Sequence, residues 1–295
     1  MRINKIAIIA SALGACVVTI TLFTVRKPHV VTDNIQQIDS FTQAADVLKT
    51  SDKNTLVLFD VDDTLIEPSS ILFRSNIKNK DDCSWIGELF SSAFANAKYS
   101  GDYYLSILQS QEVSLLIEPT IVQTIACLQN RGVKVLALTA TWTGAYFTIP
   151  SVPEWRFNKL KELGIDFSKT NFLDMTFDEL PPEEGYSPML YHGILCAGTS
   201  SKGAVLGAFL DRVKWKPDQV IFFDDSIERV ESVANEMQKR GIRFHGFQYN
   251  GANFVPGELD KEVATLQMKH LVEHEEWLSE DEVRKLLPQQ KPLAV

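Results

Sequence analysis

The sequence predicts an α/β protein: a Rossmann-like three-layer sandwich with a mainly parallel sheet, plus a small helical cap. Two observations carry this prediction. Between residues 53 and 250, short apolar segments of strand character alternate with segments of helical periodicity, an order typical of parallel sheets covered on both faces. The strand-like segments are also apolar along their length, as expected for strands that are buried on both faces.

The first core elements follow a polar linker. Residues 28–38 are polar and contain a proline, which indicates a linker. Ser40 and Gln43 have the spacing of a capping box, so a helix is expected to begin at Ser40. Residues 55–60 form a short apolar run that ends in an acid, and this pattern predicts a buried strand.

Residues 66–117 depart from the alternation and predict a helical cap inserted into the core. Apolar side chains recur there at helical spacing, from Leu89 to Ala97. The aromatic residues of this segment form either a wall of a substrate site or the core of the cap itself. They are Trp85, Phe90, Phe94, Tyr103 and Tyr104. The second interpretation is favoured because large aromatic side chains are usually buried.

The remaining core elements alternate in order. Helices are predicted over residues 119–130, 154–163, 202–213 and 227–240, and strands over residues 133–138, 189–195, 219–223 and 243–249. The predicted core therefore comprises residues 31–65 and 118–260. Residues 261–295 are charged and predict a C-terminal helical extension, with a second capping box at Ser279 and Glu282.

The N-terminal residues 1–30 predict a signal peptide or a membrane anchor. Residues 6–25 are uncharged and mostly apolar, and basic residues lie on both sides of them. Twenty such residues are enough to span a bilayer as a helix, and no clean signal-peptidase site lies near their end. We therefore expect an exported protein, which is periplasmic, secreted or anchored to the membrane by residues 6–25. Residues 13–16, Leu-Gly-Ala-Cys, resemble a lipoprotein processing box. Whether the segment is cleaved, lipidated or retained stays open.

The overall charge argues against one class of function. The chain has 29 basic and 38 acidic residues, a formal net charge of −9. A nucleic-acid partner is not expected, because binding along a phosphate backbone needs clustered Lys and Arg. The four cysteines form no CxxC pair, which gives a zinc site little support. Binding of a phosphorylated ligand would therefore depend on a local site.

The strongest chemical signal follows the first strand. Asp60 and Asp62 lie two residues apart where the strand of residues 55–60 ends, so their side chains should project to the same side. Ligands of open α/β sheets bind at the carboxyl ends of strands. Two adjacent carboxylates repel each other unless a cation lies between them, and Mg²⁺ prefers oxygen ligands. An acidic turn without function would have the same local sequence.

Further polar residues follow three other predicted strands. Thr139 ends one strand and offers a hydroxyl, and Lys202 begins a helix after another. Asp224 and Asp225 follow a third strand and repeat the arrangement at Asp60. Each signal alone is common at strand ends and helix caps. Together they supply a nucleophile, a hydroxyl, a cation and metal ligands, the groups that phosphoryl transfer requires.

The order of these residues resembles the four motifs of the haloacid dehalogenase superfamily. The motifs are Asp60-x-Asp62-x-Thr64, Thr139, Lys202 and Asp224-Asp225, within residues 53–250. The chain is also similar to an uncharacterised branch of exported bacterial members. The resemblance implies a Mg²⁺-dependent phosphatase that acts on a small phosphorylated substrate.

The resemblance also implies a role for each residue. Asp60 would attack phosphorus and become an aspartyl phosphate, while Asp62 would protonate the leaving oxygen and then activate water. The Asp60 carboxylate, the Asp62 backbone carbonyl and Asp224 would hold Mg²⁺. Thr139 and Lys202 would hold the phosphoryl oxygens. Asp225 would bind the metal through water or position Lys202.

Three other functions compete with a phosphatase. A receiver-type phosphoacceptor is disfavoured, because its acid pair precedes the phosphorylated Asp and no acid follows two residues later. A catalytically idle exported binding or effector protein would usually lack a catalytic acid or lysine, and none is missing here. A phosphotransferase that passes phosphate to an alcohol would have the same sequence features as a hydrolase.

Overall fold

A computed structural model describes residues 35–77 and 80–287 of the chain. Its strands are β1 (Ile35–Ile38), β2 (Thr55–Phe59), β3 (Ile66–Pro68), β4 (Ser114–Leu116), β5 (Lys134–Thr139), β6 (Met175–Thr176), β7 (Met189–Tyr191), β8 (Ile194–Cys196), β9 (Gln219–Asp224) and β10 (Arg243–Tyr249). Its α-helices are α1 (Ala45–Lys49), α2 (Lys80–Phe94), α3 (Gly101–Gln111), α4 (Ile121–Asn130), α5 (Val152–Glu162), α6 (Lys202–Val213), α7 (Ile227–Arg240), α8 (Lys261–His274) and α9 (Glu280–Leu286).

Eight strands form one sheet in the order β1-β10-β9-β2-β5-β8-β7-β6. The pairs from β1 to β8 are parallel, and β7 and β6 extend the sheet antiparallel. The central strand β2 is buried on both faces. Its Val57 and Phe59 pack with residues of α4, whereas Leu56 and Leu58 pack with residues of α6 and α7. The sequence prediction of a three-layer α/β fold with a mainly parallel sheet is confirmed.

The predicted linker over residues 28–38 is wrong at its C-terminal end, where the structure has a strand. Residues Ile35–Ile38 form the edge strand β1, which pairs in parallel with β10 from Gly246 to Tyr249. Ile38 is buried, whereas Gln36 and Gln37 are exposed. Such a short and polar segment carries no strand pattern, and it becomes a strand because β10 offers an open edge. The predicted anchor or signal peptide, residues 1–30, lies outside the described residues.

The predicted single strand over residues 189–195 is a hairpin instead. β7 and β8 are antiparallel neighbours joined by His192 and Gly193, whose φ angles are 46° and 84°. A two-residue turn with two positive φ angles matches the twist of antiparallel strands. A Cβ atom on Gly193 would lie 2.3 Å from the carbonyl oxygen of Phe167, so this turn requires glycine.

The insertion and the C-terminal helices share one apolar core. Strands β3 and β4 pair antiparallel at the base of the insertion, and α2 and α3 contact α8. We call residues 69–77, 80–113 and 261–287 the helical unit. The five aromatic residues from Trp85 to Tyr104 singled out above all belong to its apolar cluster, together with Met268, Leu271 and Trp277. They form the core of the unit, as the favoured interpretation predicts.

The remaining local predictions are close to the structure. The capping boxes at Ser40 and Ser279 are both formed, although a 3₁₀ turn over Phe41–Ala44 precedes α1. Helices α6 and α7 have the predicted bounds. No helix within residues 35–77 and 80–287 combines the length and the apolar character that crossing a bilayer requires.

Candidate metal and phosphate site

Two aspartates meet at the carboxyl end of the sheet. Strands β2 and β9 are parallel neighbours, and Phe59 lies opposite Phe223. The next residue of each chain segment is an aspartate, Asp60 after β2 and Asp224 at the end of β9. The backbone N–H of Asp60 donates to the carbonyl of Phe223 at 2.8 Å. Both side chains are buried, with 1% and 0% exposure. The parallel pairing thus places two carboxylates side by side where they are shielded from water.

Lys202 bridges these carboxylates. It is the first residue of α6, whose preceding Ser201 caps the helix by accepting from the N–H of Ala204. The Lys202 Nζ lies 2.6 Å from Asp60 Oδ1 and 2.6 Å from Asp224 Oδ2, and its side chain is 2% exposed. A buried ammonium between two buried carboxylates compensates their charge.

A third carboxylate completes an acidic cluster. One oxygen from each of Asp60, Asp224 and Asp225 lies within 4.8 Å of the others. Burial raises the pKa of Asp224 well above its usual value, although Lys202 opposes the shift. Burial and the carboxylates of Asp60 and Asp63 raise the pKa of Asp225 to about 7. Additional positive charge beside Asp224 and Asp225 would therefore favour their ionised forms.

The cluster has the donors that a hard cation needs. Asp60 Oδ2 and Asp225 Oδ1 are buried, and neither accepts a hydrogen bond within the described part of the chain. Buried acceptors without a partner are uncommon in folded proteins. An all-oxygen set suits Mg²⁺, which is usually bound by one or two carboxylates together with water and phosphate. Asp60, Asp224 and Asp225 are the side chains that could hold such an ion.

Thr139 and Asp62 lie outside the acidic cluster and line a cavity together with Asp60. Thr139 ends β5, is buried, and its Oγ1 lies 3.1 Å from Thr141 Oγ1. It lines the same cavity as Asp60. Asp62 also lines this cavity, and its Oδ2 accepts from Arg156 Nη2 at 2.8 Å. Because 37% of this side chain is exposed, water reaches it. The metal contact through the Asp62 backbone carbonyl stays a prediction.

Sequence reasoning missed two arginines of the site. Arg229 lies in the first turn of α7, and its Nη1 is 3.5 Å from Asp60 Oδ2 and 3.6 Å from Asp225 Oδ1. Its i,i+4 spacing from Asp225 was a usable signal. Burial disfavours its charge, but Asp60, Asp224 and Asp225 outweigh this effect and raise the pKa of Arg229. Arg156 lies 94 residues from Asp62, and no local pattern joins the two.

Asp63 was also overlooked. It follows Asp62 with a positive φ of 59°, a conformation that Asp and Asn adopt more readily than most residues. Burial raises the pKa of Asp63 to about 8, with added repulsion from Asp62 and Asp60. Asp63 is thus a neutral acid over most of the physiological range, and it stands beside the cluster without belonging to it.

A cavity of about 130 Å³ opens on these residues. Asp60, Asp62 and Thr139 line it together with Leu105 and Leu108 of the helical unit. The cavity lies where the sheet edge faces the helical unit. The cavity is therefore lined both by charged groups and by apolar groups.

The chain is similar to several rickettsial proteins. An uncharacterized protein of Rickettsia prowazekii (strain Madrid E) is 29% identical over 251 residues, which cover 85% of this chain and 89% of that protein. An uncharacterized protein of Rickettsia bellii (strain RML369-C) is 21% identical over 233 residues, covering 77% and 78% of the two chains. No solved structure significantly matches the chain. A family model described as "Protein of unknown function (DUF2608)" matches residues 37–284, so the chain belongs to this family.

Proposed function

We propose that the protein is a Mg²⁺-dependent phosphatase that hydrolyses small phosphomonoesters through a phosphoryl group carried on Asp60. One observation supports this most strongly: Asp60 is buried in contact with the ammonium of Lys202, within an acidic cluster that has two buried oxygens accepting no hydrogen bond from the described residues. The resemblance of the motifs to the haloacid dehalogenase superfamily supports the same reaction.

The metal would be held by side chains of the acidic cluster. Asp60, Asp224 and Asp225 offer carboxylate oxygens within 4.8 Å of one another. When bound, Mg²⁺ neutralises these carboxylates and part of the charge of the phosphoryl group. The sequence suggested that Asp225 binds the metal through water or positions Lys202. Lys202 contacts Asp60 and Asp224, whereas Asp225 faces Arg229. We therefore assign Asp225 to the metal and not to Lys202.

Asp60 supplies the nucleophile. One of its carboxylate oxygens attacks phosphorus, a new O–P bond forms, and the bond from phosphorus to the leaving oxygen breaks with its electron pair. Lys202 fixes Oδ1 at 2.6 Å, while Oδ2 accepts no hydrogen bond within the described residues and keeps its lone pairs available. Fixing one oxygen limits the rotation of the carboxylate, which favours attack in a single orientation.

Asp62 acts as the general acid and then as the general base. In its neutral form it gives a proton to the leaving oxygen, and as a carboxylate it then takes a proton from the water that attacks the aspartyl phosphate. This water cleaves the O–P bond and restores Asp60. Arg156 holds Asp62 Oδ2 at 2.8 Å and thereby orients the group, and the exposure of Asp62 gives water access to it. Geometry of this kind is a requirement for general acid–base catalysis.

The remaining polar groups would bind the phosphoryl oxygens. Thr139 and Lys202 are the two donors that the motif order assigns to this task. Arg229 adds a guanidinium that lines the same cavity as Asp60 and Thr139. Donors placed before reaction stabilise charge that develops during transfer, particularly where water is excluded.

The test is turnover of phenyl phosphate by the purified full-length protein, with EDTA or with added MgCl₂. We expect hydrolysis only with Mg²⁺ and a loss of at least about 10³-fold in kcat for Asp60→Asn. Asp63→Asn is the matched control. It makes the same chemical change three residues away, at a position whose acid is already neutral, and should retain most activity.

Full activity of Asp60→Asn would refute the assigned nucleophile. Absence of turnover by the folded wild-type protein would instead favour an idle binding protein. Adding glycerol as an acceptor separates hydrolysis from transfer, because a phosphotransferase would release phenol faster than inorganic phosphate.

A further inference from the structure

The cavity beside Asp60 has a second part that the phosphoryl chemistry does not use. The leaving group of a phosphomonoester must lie next to phosphorus and within reach of Asp62. Besides Asp60 and Asp62, the cavity is lined by Leu105 and Leu108 of α3. The organic part of a substrate would therefore occupy the space between the sheet edge and the helical unit.

We propose that this space selects phosphomonoesters whose organic part is one apolar ring, or a group of similar size, over sugar phosphates and nucleotides. The inference rests on the proposed phosphatase function and names its substrate class. Three properties of the cavity carry it: its volume, its apolar walls and the engaged state of its acidic residues.

The volume limits the size of the group. The cavity measures about 130 Å³. For comparison, an apolar protein cavity of about 150 Å³ accommodates benzene. One six-membered ring matches this scale, whereas the linked base and sugar of a nucleotide are larger and would extend out of the cavity. A small ring also reaches Asp62 and the phosphoryl site without opening the helical unit.

The walls offer apolar and aromatic contact. Trp142 and Trp155 line the cavity together with Phe73, Leu105 and Leu108. Trp142 is 7% exposed and Phe73 is 3% exposed, so both are held in place by their surroundings. Fixed aromatic rings gain energy from edge-to-face or offset contacts with another ring. An apolar ring would replace water at these surfaces, which is favourable.

The acidic wall residues are already engaged. Glu112 accepts at Oε1 from Ser69 Oγ (2.8 Å) and from the backbone N–H of Ser70 (2.9 Å). Its Oε2 accepts from Ser70 Oγ at 2.7 Å and from the indole N–H of Trp277. Glu67 faces Arg74, with 3.5 Å between the charged atoms. Both oxygens of Glu112 are therefore occupied, and the charge of the buried Glu67 is paired with Arg74.

The wall carries more apolar than neutral polar side chains. Apart from Thr139 and its partner Thr141, the neutral polar groups are the side chains of Gln109, Ser114 and Tyr146 and the indole N–H groups of Trp142 and Trp155. Several hydroxyl groups of a hexose would therefore lie against apolar side chains. A hydroxyl that leaves water without finding a partner weakens binding, so sugar phosphates should be poor substrates.

The test compares benzyl phosphate with glycerol 1-phosphate, using the full-length protein and Mg²⁺. Both release a primary alcohol, so their intrinsic reactivity is similar and the organic group is the main difference. We expect kcat/KM to be about 10- to 100-fold higher for benzyl phosphate, as burial of one ring predicts. Glucose 6-phosphate and adenosine monophosphate should be no better than glycerol 1-phosphate.

A variant that fills the cavity provides the second readout. Leu105→Trp should remove most of the preference for benzyl phosphate while glycerol 1-phosphate is still hydrolysed. Leu173→Trp is the control, since Leu173 is 83% exposed and does not line the cavity. If Leu105→Trp fails to fold, Gln109→Trp fills the same cavity from the same helix.

The outcomes separate the two proposals. Equal or better turnover of glycerol 1-phosphate, or an unchanged preference in folded Leu105→Trp, overturns the substrate class while the phosphatase stands. Absence of turnover with every ester overturns the phosphatase and this inference with it.

Discussion

The carboxyl edge of the sheet gathers charged side chains, whereas the helical unit faces it with apolar ones. At the sheet edge, Lys202 and Arg229 lie within 3.6 Å of carboxylates of the acidic cluster, Asp60, Asp224 and Asp225. In the helical unit, buried residues such as Met268 and Leu271 pack in one apolar cluster. The difference predicts two kinds of mutational response. Changes at the edge should affect pH dependence and metal binding, and changes in the unit should affect stability and substrate preference.

The largest expected effect comes from removing the central cation of the sheet edge. Lys202→Met leaves Asp60 and Asp224 buried without the ammonium that bridges them. We expect the free energy of unfolding to fall by about 3–5 kcal/mol, measured by urea denaturation without Mg²⁺. Lys239→Met is the control. This lysine is 74% exposed and pairs with Glu236 at 3.4 Å, so a loss of less than about 1 kcal/mol is expected. Equal losses would show that the buried bridge is not stabilising.

The next effect tests the helical unit. Leu271 is fully buried, and Leu271→Ala should lower the free energy of unfolding by about 2–5 kcal/mol through the cavity that it leaves. Mg²⁺ affinity, measured by titration calorimetry, should not change, because Leu271 lies in the apolar cluster of the helical unit and not in the acidic cluster. Leu286→Ala, at a residue 65% exposed, is the control for stability. A parallel loss of Mg²⁺ affinity would mean that the two regions are coupled.

The smallest effect concerns pH. The pKa of Asp63 is about 8 in the folded protein and near 3.8 when unfolded, so the folded state binds its proton more tightly. This contribution to stability is complete below pH 4 and is lost as the pH rises towards and through 8. Asp63→Asn cannot ionise. The free energy of unfolding of Asp63→Asn should therefore gain about 2 kcal/mol over that of wild type between pH 5 and pH 6.5.

The comparison is made by urea denaturation at both pH values in the absence of Mg²⁺. Asp46→Asn is the control, because the Asp46 side chain is 98% exposed and should leave the pH dependence of stability unchanged. An identical pH dependence of wild type and Asp63→Asn would contradict the raised pKa of Asp63.

The sheet edge was more predictable than its surroundings. Asp60 and Asp224 each follow an apolar run, and parallel strands bring such positions together. The capping boxes, and Lys202 at the start of α6, are likewise local signals. Each of these features depends on a few consecutive residues, so it can be predicted from the local sequence.

The parts that could not be predicted depend on distant residues. β1 is a strand because β10 leaves an edge open, and Arg156 meets Asp62 only after α5 packs beside the sheet. The hairpin at His192 and Gly193 was hidden because two turn residues barely interrupt an apolar run. The cavity walls combine the helical unit with the residues around Trp142, and no single segment contains that information.

The account depends most directly on Asp60 carrying the phosphoryl group. Rapid mixing of the protein with Mg²⁺ and phenyl phosphate, acid quenching and reduction with borohydride would convert a phosphorylated aspartate into homoserine. Peptide mass spectrometry would then locate the modified residue. The account predicts homoserine at position 60 in wild type and none in Asp60→Asn. Homoserine at another aspartate, or steady hydrolysis without a modified residue, would contradict it.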